Sequence, residues 1–400
     1  MKKPLAFNYF KIILIALNCF SVKTTLCQSF RGISTISENE AWFSGSQGTV
    51  IYANQSGKSF DTLSPKNFKR KDFRDIHAMD QNHAIIMSAG DSAVILKTNN
   101  HGKTWQIVYQ DNRPGIFLDV IEINNKTGVG IALGDPLPDS LFNHSEKYST
   151  SKHFVALWTP DYGSHWYPIP NGSWNLATPT LSSMFAASGT SLVYNRLELD
   201  KSQKNTKIVM DFYFSGGGDS AADVRQVILS FEMKNPQQTL QYLKFDHHLQ
   251  FPVGEGWGVY GMQKLNDRLF CFGGNWKYPN AKDSFCYLIQ LSPVEYTLGK
   301  HKIKSSLATS SFQFPQSGYR SAGAMHYSQK LSGYYGISVG SNGLDLIQFD
   351  RSHGKKRKPT VALQKITGLN VCSNIGNVYW LAGNKGQIFR FTAQELSLDR

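Results

Sequence analysis

The chain has few cysteines, which excludes a scaffold held together by disulfides. Only 5 of its 400 residues are cysteine, and only Cys271, Cys286 and Cys372 lie beyond residue 27. Three is an odd number and too few for a disulfide framework. Cys271 and Cys286 are 15 residues apart, a separation that suits facing positions on paired strands. A disulfide in an oxidising compartment and two small buried residues fit this spacing equally well.

A long hydrophobic run is also missing, which argues against a permanent membrane anchor. The apolar segment at residues 12–17 follows Lys2, Lys3 and Lys11, and it is well short of the roughly 20 residues that cross a bilayer. A basic start, a short apolar run and a polar stretch are typical of a secretory signal. We predict a signal peptide over residues 1–27, cleaved after Cys27. The mature chain, residues 28–400, is predicted to be a single domain in the periplasm or outside the cell.

A lipoprotein is the competing interpretation, because Cys19 and Cys27 both lie near the predicted cleavage site. Neither cysteine follows the Leu-(Ala/Ser)-(Gly/Ala) run of a lipid-transfer signal, since Asn18 precedes the first and Leu26 the second. The cleaved signal peptide is therefore the preferred interpretation.

Acidic residues are scarce relative to basic ones. The chain has 42 Lys and Arg against 29 Asp and Glu, a charge of +13, and the four lysines of the signal peptide leave the mature chain near +9. Such a charge favours a partner of acidic character, whether a protein or peptide surface, a lipid or a polysaccharide. We expect no nucleic-acid partner, because no reading motif is present. The basic cluster at residues 355–358 is interpreted as a solvated turn.

Long helical periodicities are absent, and short apolar runs bounded by Gly, Asn, Asp and Ser take their place. This texture is typical of an all-β chain with tight turns. The segment from Trp42 to Val50 and the segment from Trp380 to Ile388 share the pattern Trp-x-x-Gly-x-x-Gly-x-(Val/Ile) at identical spacing. Each pattern predicts a hairpin whose glycines accept positive φ. Internal repetition of this kind indicates a repeat architecture.

A second repeated element resembles the Asp-box, (Ser/Thr)-x-(Asp/Asn)-x-Gly-x-x-Trp. One copy carries Asn100, Gly102 and Trp105, and the other carries Asp161, Gly163 and Trp166. We assign these six residues a structural role, because the polar side chain caps a turn and the indole packs under the sheet. The interval between boxes fits a four-stranded blade. We therefore predict an all-β fold, a β-propeller most simply of seven four-stranded blades, whose first and last strands share a blade.

Short segments along the chain resemble one protein family. In chain order they are Phe30-Arg31-Gly32-Ile33, Phe73-Arg74-Asp75-Ile76, Gly134-Asp135-Pro136, Ala187-Ser188-Gly189-Thr190, Gly258-Val259-Tyr260, Gly273-Gly274-Asn275-Trp276, Gly318-Tyr319-Arg320-Ser321-Ala322 and Gly340-Ser341-Asn342-Gly343-Leu344-Asp345. Together they resemble the photosystem II stability/assembly-factor propellers and their non-photosynthetic bacterial relatives with BNR/Asp-box repeats. The sequence departs from that family at Asn275, where Asp is usual, and in the eroded Asp-boxes of its C-terminal half.

The resemblance implies an exported, non-catalytic propeller that binds a protein or peptide partner and acts as an assembly or stability factor for an envelope complex. Fold does not fix function. The alternative is a sialidase-like or other glycan-directed hydrolase or lyase, or a glycan-binding module, on the same scaffold. A sialidase needs three arginines, a Tyr activated by a Glu, and an Asp acid. No Tyr–Glu pairing can be identified from the sequence, so catalytic residues are not assigned.

Polar residues on the predicted inner strands are the candidate binding residues. They are Arg74, Asp75, Asp135, Tyr319, Arg320 and Asp345. Inner strands of a propeller line its axial channel, where partners commonly dock. A charged residue there is either presented at the channel mouth or locked in an ion pair between blades, and the sequence leaves both roles open. The arginines suit carboxylate groups, because a planar guanidinium binds them with two hydrogen bonds.

No motif points to a cofactor or a metal. The segment Gly256-Trp257-Gly258-Val259-Tyr260-Gly261 has the spacing Gly-x-Gly-x-x-Gly, but that motif binds dinucleotides only between a strand and a helix. His247 and His248 are adjacent, and neighbouring strand residues point to opposite faces, so the pair does not converge on a metal. We expect neither a cofactor nor a metal site.

Overall fold

The computed structural model describes residues 28–90, 92–142, 152–169, 183–185, 187–200, 206–218, 221–233, 240–243, 247–281, 285–298, 301–315, 318–350, 353–357 and 361–398. Within these ranges nearly all regular structure is β-strand, and the single α-helix, α1, spans only Val361–Gln364. No helix in this part of the chain is long and apolar enough to cross a membrane. The all-β prediction is confirmed.

The first three sheets are antiparallel, four-stranded and formed by consecutive strands. The first contains β1 (Phe30–Ser37), β2 (Glu40–Gly45), β3 (Val50–Asn54) and β4 (Ser59–Thr62). The second contains β5 (Asp72–Ala78), β6 (Ala84–Ala89), β7 (Ala93–Thr98) and β8 (Gln106–Asp111). The third contains β9 (Leu118–Ile123), β10 (Gly130–Pro138), β11 (Lys152–Thr159) and β12 (Tyr167–Pro168). Every residue of β6 and β7 is buried, which explains why these strands read as continuous apolar runs.

A ten-stranded sheet follows, and it consists of two antiparallel groups. The first group contains β13 (Ser183–Met184), β14 (Leu192–Asp200), β15 (Thr206–Gly218), β16 (Ala221–Met233), β17 (Leu240–Leu243) and β18 (His247–Val253). The second contains β19 (Trp257–Leu265), β20 (Arg268–Asn275), β21 (Phe285–Leu298) and β22 (His301–Pro315). Pairing of Gly217 with Gly258 and of Gly218 with Trp257 joins the two groups.

Two further sheets complete the described chain. One contains β23 (Ala322–Ser328), β24 (Gly333–Gly340), β25 (Gly343–Asp350) and β26 (His353–Arg357). The last contains β27 (Leu369–Ile375), β28 (Val378–Gly383) and β29 (Ile388–Thr392). Residues 355–357 of the basic cluster pair with β25, so they belong to a strand and not to the predicted turn. Lys358 lies outside the described residues.

The first main strand of each strand group faces the centre of the molecule. These inner strands are β1, β5, β9, β14, β19, β23 and β27; each packs against the next, and β27 packs against β1. Neighbouring inner strands run in the same direction, because Asp75 and His77 of β5 contact Ile121 and Ile123 of β9 in the same order. A closed ring of antiparallel sheets around parallel inner strands is a β-propeller. The predicted number of blades stays a prediction, because the ten-stranded sheet joins two groups.

The ring closes differently from the sequence-based expectation. The first and last strands do not share a blade, because β1 pairs with β2 and β29 pairs with β28. The two sheets are instead joined by one bridge between Ser29 and Asn384 and by a hydrogen bond from Gly386 N to Gln28 O. Asn370 strengthens this joint, since its side-chain amide donates to Phe30 O at 3.0 Å. The N-terminal strand β1 therefore closes the ring by packing against β27 and through these hydrogen bonds, without becoming a strand of the last sheet.

The segment from Thr98 to Trp105 forms a tight turn after β7. The hydroxyl of Thr98 accepts a hydrogen bond from Gly102 N at 3.0 Å, and Asn100 Oδ1 accepts one from Thr104 N at 2.9 Å. Gly102 has φ of +68°, a conformation that glycine adopts without steric cost. The indole of Trp105 is partly buried and donates to Leu63 O at 2.8 Å. The turn is thus tied to the neighbouring sheet.

The segment from Thr159 to Trp166 repeats this geometry after β11. The hydroxyl of Thr159 accepts from Gly163 N at 3.0 Å, and Asp161 Oδ1 accepts from His165 N at 2.9 Å. Trp166 is 7% exposed, and its indole donates to Gly163 O at 3.2 Å. Two segments with the same residue spacing therefore form the same hydrogen bonds through their Thr and Asn/Asp side chains. The indoles differ, because Trp105 donates to Leu63 O and Trp166 donates within its own turn.

The three described cysteines are free and buried. Cys271 pairs with Tyr287 across β20 and β21, whereas Cys286 pairs with Phe272. Because alternate strand residues point to opposite faces, the two thiols lie on opposite faces of their sheet and in different hydrophobic clusters. Of the two interpretations of their spacing, the structure favours buried small residues.

Candidate functional site

A β-bulge recurs near the start of the inner strands. The register of β1 against β2 shifts between Phe30 and Gly32, which leaves Arg31 as the extra residue. The same shift leaves Arg74 extra in β5 and Asp119 extra in β9. It also occurs in β19 and β27, where the extra residues are Tyr260 and Asn370. A bulge re-aims a side chain while the strands on either side stay paired.

The bulge separates an apolar position that packs in the core from a position that faces the channel, and at the second position Asp119, Tyr260 and Asn370 are themselves buried. The residues that precede the bulge residues are Phe30, Phe73, Leu118, Val259 and Leu369, all buried and apolar. Four of the bulge residues, Arg31, Arg74, Asp119 and Tyr260, line one common cavity. Because neighbouring inner strands are parallel, equivalent positions lie at the same end of the ring. The repeated bulge therefore gathers side chains from separate strand groups at one mouth of the channel.

This cavity, which we call the entry cavity, has a volume of about 380 Å³. Its lining residues are Arg31, Arg74, Phe117, Asp119, Asp135, Ser183, Met184, Phe185, Ala187, Tyr260, Trp276 and Tyr319. The volume lies within the usual range for small-ligand sites. Two arginines, two carboxylates and five aromatic rings face the same space, so the entry cavity presents both charge and apolar surface.

The two arginines differ in how they are held. Arg74 donates from Nε to Asp72 Oδ2 at 2.7 Å, and both side chains are partly exposed. Arg31 has no hydrogen-bond acceptor among the residues that the structure describes. Burial, and then the nearby charge of Arg74, lower the pKa of Arg31, with Asp72 acting in the opposite direction. A partly buried guanidinium without an acceptor is well placed to bind an oxyanion.

Tyr319 lies beside this arginine pair. Burial raises its pKa to about 12, although the charges of Arg31 and Arg74 lower it. Its ring packs edge-on against Tyr260, with the ring centroids 4.7 Å apart. Tyr319 is therefore a neutral phenol at physiological pH, and it contributes an aromatic wall to the entry cavity.

Asp135 also lines the entry cavity. It is the extra residue where β10 pairs with β11, and its Oδ1 accepts a hydrogen bond from Met184 N at 2.8 Å. Burial raises the pKa of Asp135 to about 6, against the effects of that hydrogen bond and of Lys152. The carboxylate is thus ionised at neutral pH and becomes protonated in mildly acidic solution.

An exposed aromatic loop borders the entry cavity. Trp276 and Tyr278 are 51% and 68% exposed, and Asn275 Oδ1 shapes the loop by accepting from Lys277 N at 2.9 Å. The ammonium of Lys277 lies 5.6 Å from the centroid of the Trp276 ring and also pairs with Glu255. Exposed aromatic residues beside a cavity are typical of interaction surfaces.

The structure brings three of the six predicted binding residues together, namely Arg74, Asp135 and Tyr319. Asp75 does not line the entry cavity. Its carboxylate is buried and accepts hydrogen bonds from Ile76 N at 2.7 Å and from Ile121 N on the next inner strand at 2.8 Å. Burial raises the pKa of Asp75 well above its usual value, although both hydrogen bonds lower it. Asp75 therefore joins two neighbouring inner strands.

Arg320 and Asp345 also lie away from the channel mouth, which corrects the prediction for both. They form a buried ion pair in which Arg320 Nη2 and Nε lie 2.7 and 3.1 Å from Asp345 Oδ2. The side chains are only 1% and 2% exposed. Arg320 Nη1 also donates to Tyr319 O at 2.9 Å and to the side chain of Asn342. The sequence left open a place at the channel mouth or an ion pair between blades, and the observed ion pair lies instead within one strand group, since Arg320 precedes β23 and Asp345 is in β25 of the same sheet.

The reason lies in the position of Arg320 relative to the repeated pattern. In several strand groups, a glycine of the strand that pairs with the inner strand packs against the carbonyl oxygen of the residue before the equivalent inner-strand position. These contacts are Gly45 with Ser29 O, Gly134 with Phe117 O, Gly383 with Gly368 O and Gly340 with Tyr319 O. The residues that follow these carbonyls are Phe30, Leu118, Leu369 and Arg320. Arg320 thus occupies the buried position that holds an apolar residue elsewhere, and it needs Asp345 to neutralise it.

The entry cavity contains residues that were not predicted, of which Arg31, Asp119, Tyr260 and Trp276 are the most polar or most exposed. Arg31 and Tyr260 stand in segments that carry the family resemblance, at the same place as Arg74 in its own segment. The shared signal is a residue that directly follows a buried apolar residue at the start of an inner strand.

The chemistry of the lining does not match a glycosidase site of the sialidase type. The described lining residues include two arginines and no glutamate, whereas that site needs three arginines and a Tyr–Glu pair. No group of three or more potential metal ligands occurs among the described residues. The Gly256–Gly261 segment lies at and within strand β19, which pairs with β20, so it lacks the helix that a dinucleotide site requires.

No family model and no curated protein matches the chain. Solved structures with a similar fold include "YCF48 bound to D1 peptide", with 11% identity, a TM-score of 0.47, and coverage of 97% of this chain and 98% of that chain. YCF48 from Cyanidioschyzon merolae has 10% identity, a TM-score of 0.47, and coverage of 93% and 98%. The computationally designed Ika8 protein has 9% identity, a TM-score of 0.45, and coverage of 94% and 98%. Similarity at this level assigns no ligand or role to the residues of this chain.

Proposed function

We propose that this protein is a non-catalytic β-propeller that binds a protein or peptide partner of acidic character in its entry cavity. The observation that carries the proposal is the partly buried guanidinium of Arg31, which faces the cavity and has no acceptor among the described residues. Arg74 lies next to it and forms an ion pair with Asp72. A carboxylate from a partner would satisfy both arginines, because guanidinium groups bind carboxylates with two hydrogen bonds.

The rim supports a partner larger than a free carboxylate. Trp276 lines the cavity, and Tyr278 extends the aromatic surface outward from it. Aromatic side chains contribute strongly to protein interfaces, and arginines are similarly enriched at the centre of such contacts. An acidic residue next to an apolar one in an extended segment would fill the cavity and cover the rim. This combination is the basis for preferring a peptide segment over a small molecule.

We further propose that the protein acts outside the cytoplasm as an assembly or stability factor for an envelope complex. The support is the secretory pattern of residues 1–27 and the excess of basic residues, 42 against 29 acidic ones. A basic surface attracts acidic partners and speeds their association.

Crosslinking and capture from the native periplasm or culture supernatant would test the function, with the wild-type protein compared with Arg31→Ala. Arg196→Ala is the matched control, because Arg196 lies outside the entry cavity and pairs with Glu198 on the surface. We expect Arg31→Ala to weaken binding of the captured partner about 10- to 100-fold, since a charge-assisted hydrogen bond contributes about 1.5–3 kcal/mol. Binding should also weaken with added salt.

Two results would contradict the proposal. One is a partner that binds the Arg31→Ala and Arg196→Ala variants equally well. The other is hydrolysis of fluorogenic glycosides or sialosides by the wild-type protein, abolished by Arg31→Ala, since that would make the cavity an active site.

A further inference from the structure

A second cavity, which we call the exit cavity, has a volume of about 600 Å³ and lies apart from the entry cavity. Its lining includes His77, Glu122, Lys126, Tyr194 and Lys264, and it shares no residue with the entry cavity. The two sets occupy different parts of the same strands: Arg74 precedes His77 in β5, and Tyr260 precedes Lys264 in β19. Because the inner strands run in parallel, the exit cavity lies at the other end of the channel.

Hydrogen bonds between neighbouring inner strands lie between the two cavities. Asp75 binds Ile121 N between β5 and β9, and Thr190 O accepts from Met262 N at 2.7 Å between the segment before β14 and β19. Ser321 Oγ donates to Asn370 O at 2.6 Å between β23 and β27. The first two contacts lie near the middle of their inner strands, whereas Ser321 and Asn370 lie at the start of β23 and β27. A ligand can therefore bind in one cavity without contacting the residues of the other.

Lys264 provides a cation without a hydrogen-bond acceptor. Its side chain is half-buried, and no acceptor for its ammonium occurs among the residues that the structure describes. Burial lowers the pKa of Lys264, while the charges of Asp211 and Asp267 raise it. A partly desolvated ammonium gains more from an anionic ligand than a fully hydrated one does. Lys126 adds a second, exposed ammonium at the border of the same cavity.

His77 and Glu122 also line the exit cavity. His77 Nε2 lies 2.8 Å from Asn125 Oδ1, and its Nδ1 lies 3.5 Å from Glu122 Oε2 and accepts from Ile123 N. Burial lowers the pKa of His77, but the charge and hydrogen bond of Glu122, the hydrogen bond of Asn125 and the charge of Asp75 together raise it. The charged groups facing the ring are thus Glu122 and Asp75, and its protonation makes the cavity more positive.

We propose that the exit cavity binds a small organic anion that carries a carboxylate or phosphate group, with Lys264 as its anchoring residue. The two ammonium groups of the lining, on Lys264 and Lys126, outnumber its single carboxylate, that of Glu122. Amide and hydroxyl groups from Asn124, Asn125 and Thr190 supply further polar contacts, and the volume is sufficient for a ligand of this kind.

Isothermal titration calorimetry with the mature protein would test the site. The ligands are citrate, glucuronate, glucose 6-phosphate and inorganic phosphate, with glucose as the uncharged control. We expect at least one of the three organic anions to bind with 1:1 stoichiometry, and Lys264→Met to weaken it about 10- to 100-fold. Comparison of glucuronate with glucose 6-phosphate distinguishes a carboxylate from a phosphate ligand.

Three variants separate the site from alternative explanations. Lys302→Met is the matched control, because Lys302 is 73% exposed and pairs with Glu295 on the β21–β22 hairpin. Arg31→Ala should leave binding unchanged, which distinguishes this site from the entry cavity. Lys264→Arg keeps the charge and should restore most of the affinity. Lys264→Met should fold normally, because it removes a partly desolvated charge and retains an apolar stem.

Glucuronate should bind more tightly at pH 6 than at pH 8.5, because its carboxylate stays ionised over this range while His77 gains a proton. The proposal is overturned if no organic anion binds at 10 mM, if inorganic phosphate alone binds, or if Lys264→Met binds the anion as well as Lys302→Met does.

Discussion

Replacement of Arg320 by methionine should destabilise the protein more than replacement of any arginine at the entry cavity. Arg320 and Asp345 form an ion pair whose side chains are 1% and 2% exposed, with N–O distances of 2.7 and 3.1 Å. Burial lowers the pKa of Arg320, and the charge and hydrogen bonds of Asp345 counteract this effect. The pair is therefore buried, matched in charge and dependent on both partners.

The magnitude follows from what Arg320→Met leaves behind. The carboxylate of Asp345 stays buried but loses two charge-assisted hydrogen bonds, and Tyr319 O loses its donor. Removal of one partner from a buried ion pair costs about 3–5 kcal/mol of unfolding free energy. By contrast, Arg74 and Asp72 have side chains that are 26% and 35% exposed, so Arg74→Ala should cost less than about 1 kcal/mol.

Urea unfolding followed by tryptophan fluorescence would measure these free energies for the wild type, Arg320→Met, Asp345→Leu and the double variant. We expect each single variant to lose about 3–5 kcal/mol and the double variant to recover a large part of that loss, because no unpaired charge remains. The non-additive part of the cycle gives the coupling energy between the two side chains.

Lys302→Met is the control for loss of an exposed ion pair, and it should change the unfolding free energy by less than about 0.5 kcal/mol. The reasoning is refuted if Arg320→Met costs less than about 1 kcal/mol, or if the double variant loses as much as the two single variants together. Either result would mean that the pair is hydrated or that its geometry is not essential to the fold.

Three further outcomes follow from the structure. Burial raises the pKa of Asp135 to about 6, so its ionisation destabilises the fold as pH rises from about 4 to above 6. Asp135→Asn should therefore stabilise the protein by about 3 kcal/mol at pH 7.5 and hardly at all at pH 4 in urea unfolding; equal effects at both pH values would contradict this. Trp166→Ala should cost about 3–5 kcal/mol of unfolding free energy and Trp105→Ala less, because Trp166 is buried and Trp105 only partly buried; the reverse order in urea unfolding would contradict this argument from burial. Burial raises the pKa of Cys271, Cys286 and Cys372, so a thiol reagent should label them in the mature protein only after denaturant is added.

The sequence was sufficient to predict the local fold, because the decisive signals are local. The two segments that begin at Trp42 and Trp380 both form hairpins, but only the second glycine of each pattern, Gly48 and Gly386, has the predicted positive φ. The first glycines, Gly45 and Gly383, instead lie against the carbonyl oxygens of Ser29 and Gly368. Long-range pairing was not predictable in the same way. The contact of Gly217 with Gly258 merges two strand groups, and two glycines carry no pattern that specifies a partner. The expected sharing of a blade was wrong, because β1 is the inner strand of its own sheet and is not part of the last one.

The candidate site was predicted in part, and the errors have one physical cause. Polarity on an inner strand shows that a residue is unusual, but it does not show which way the side chain points. A shift of one residue moves a side chain from the channel to the core. Arg74 is a bulge residue and faces the entry cavity. Arg320 precedes the equivalent position, and Ser321 occupies it, with its hydroxyl donating to Asn370 O.

The bulge explains how this ring places charged side chains in a cavity without disturbing the packing of its inner strands. Buried apolar residues such as Phe30 and Leu118 hold each inner strand in place, and the extra residue that follows is released from pairing. That extra residue is an arginine in two groups, an aspartate in a third and a tyrosine in a fourth. Side chains of different chemistry therefore enter the same cavity without changing the packing beneath them. Where a charge falls one position earlier, as at Arg320, the fold needs a buried counter-ion, and the residue is committed to stability in place of recognition.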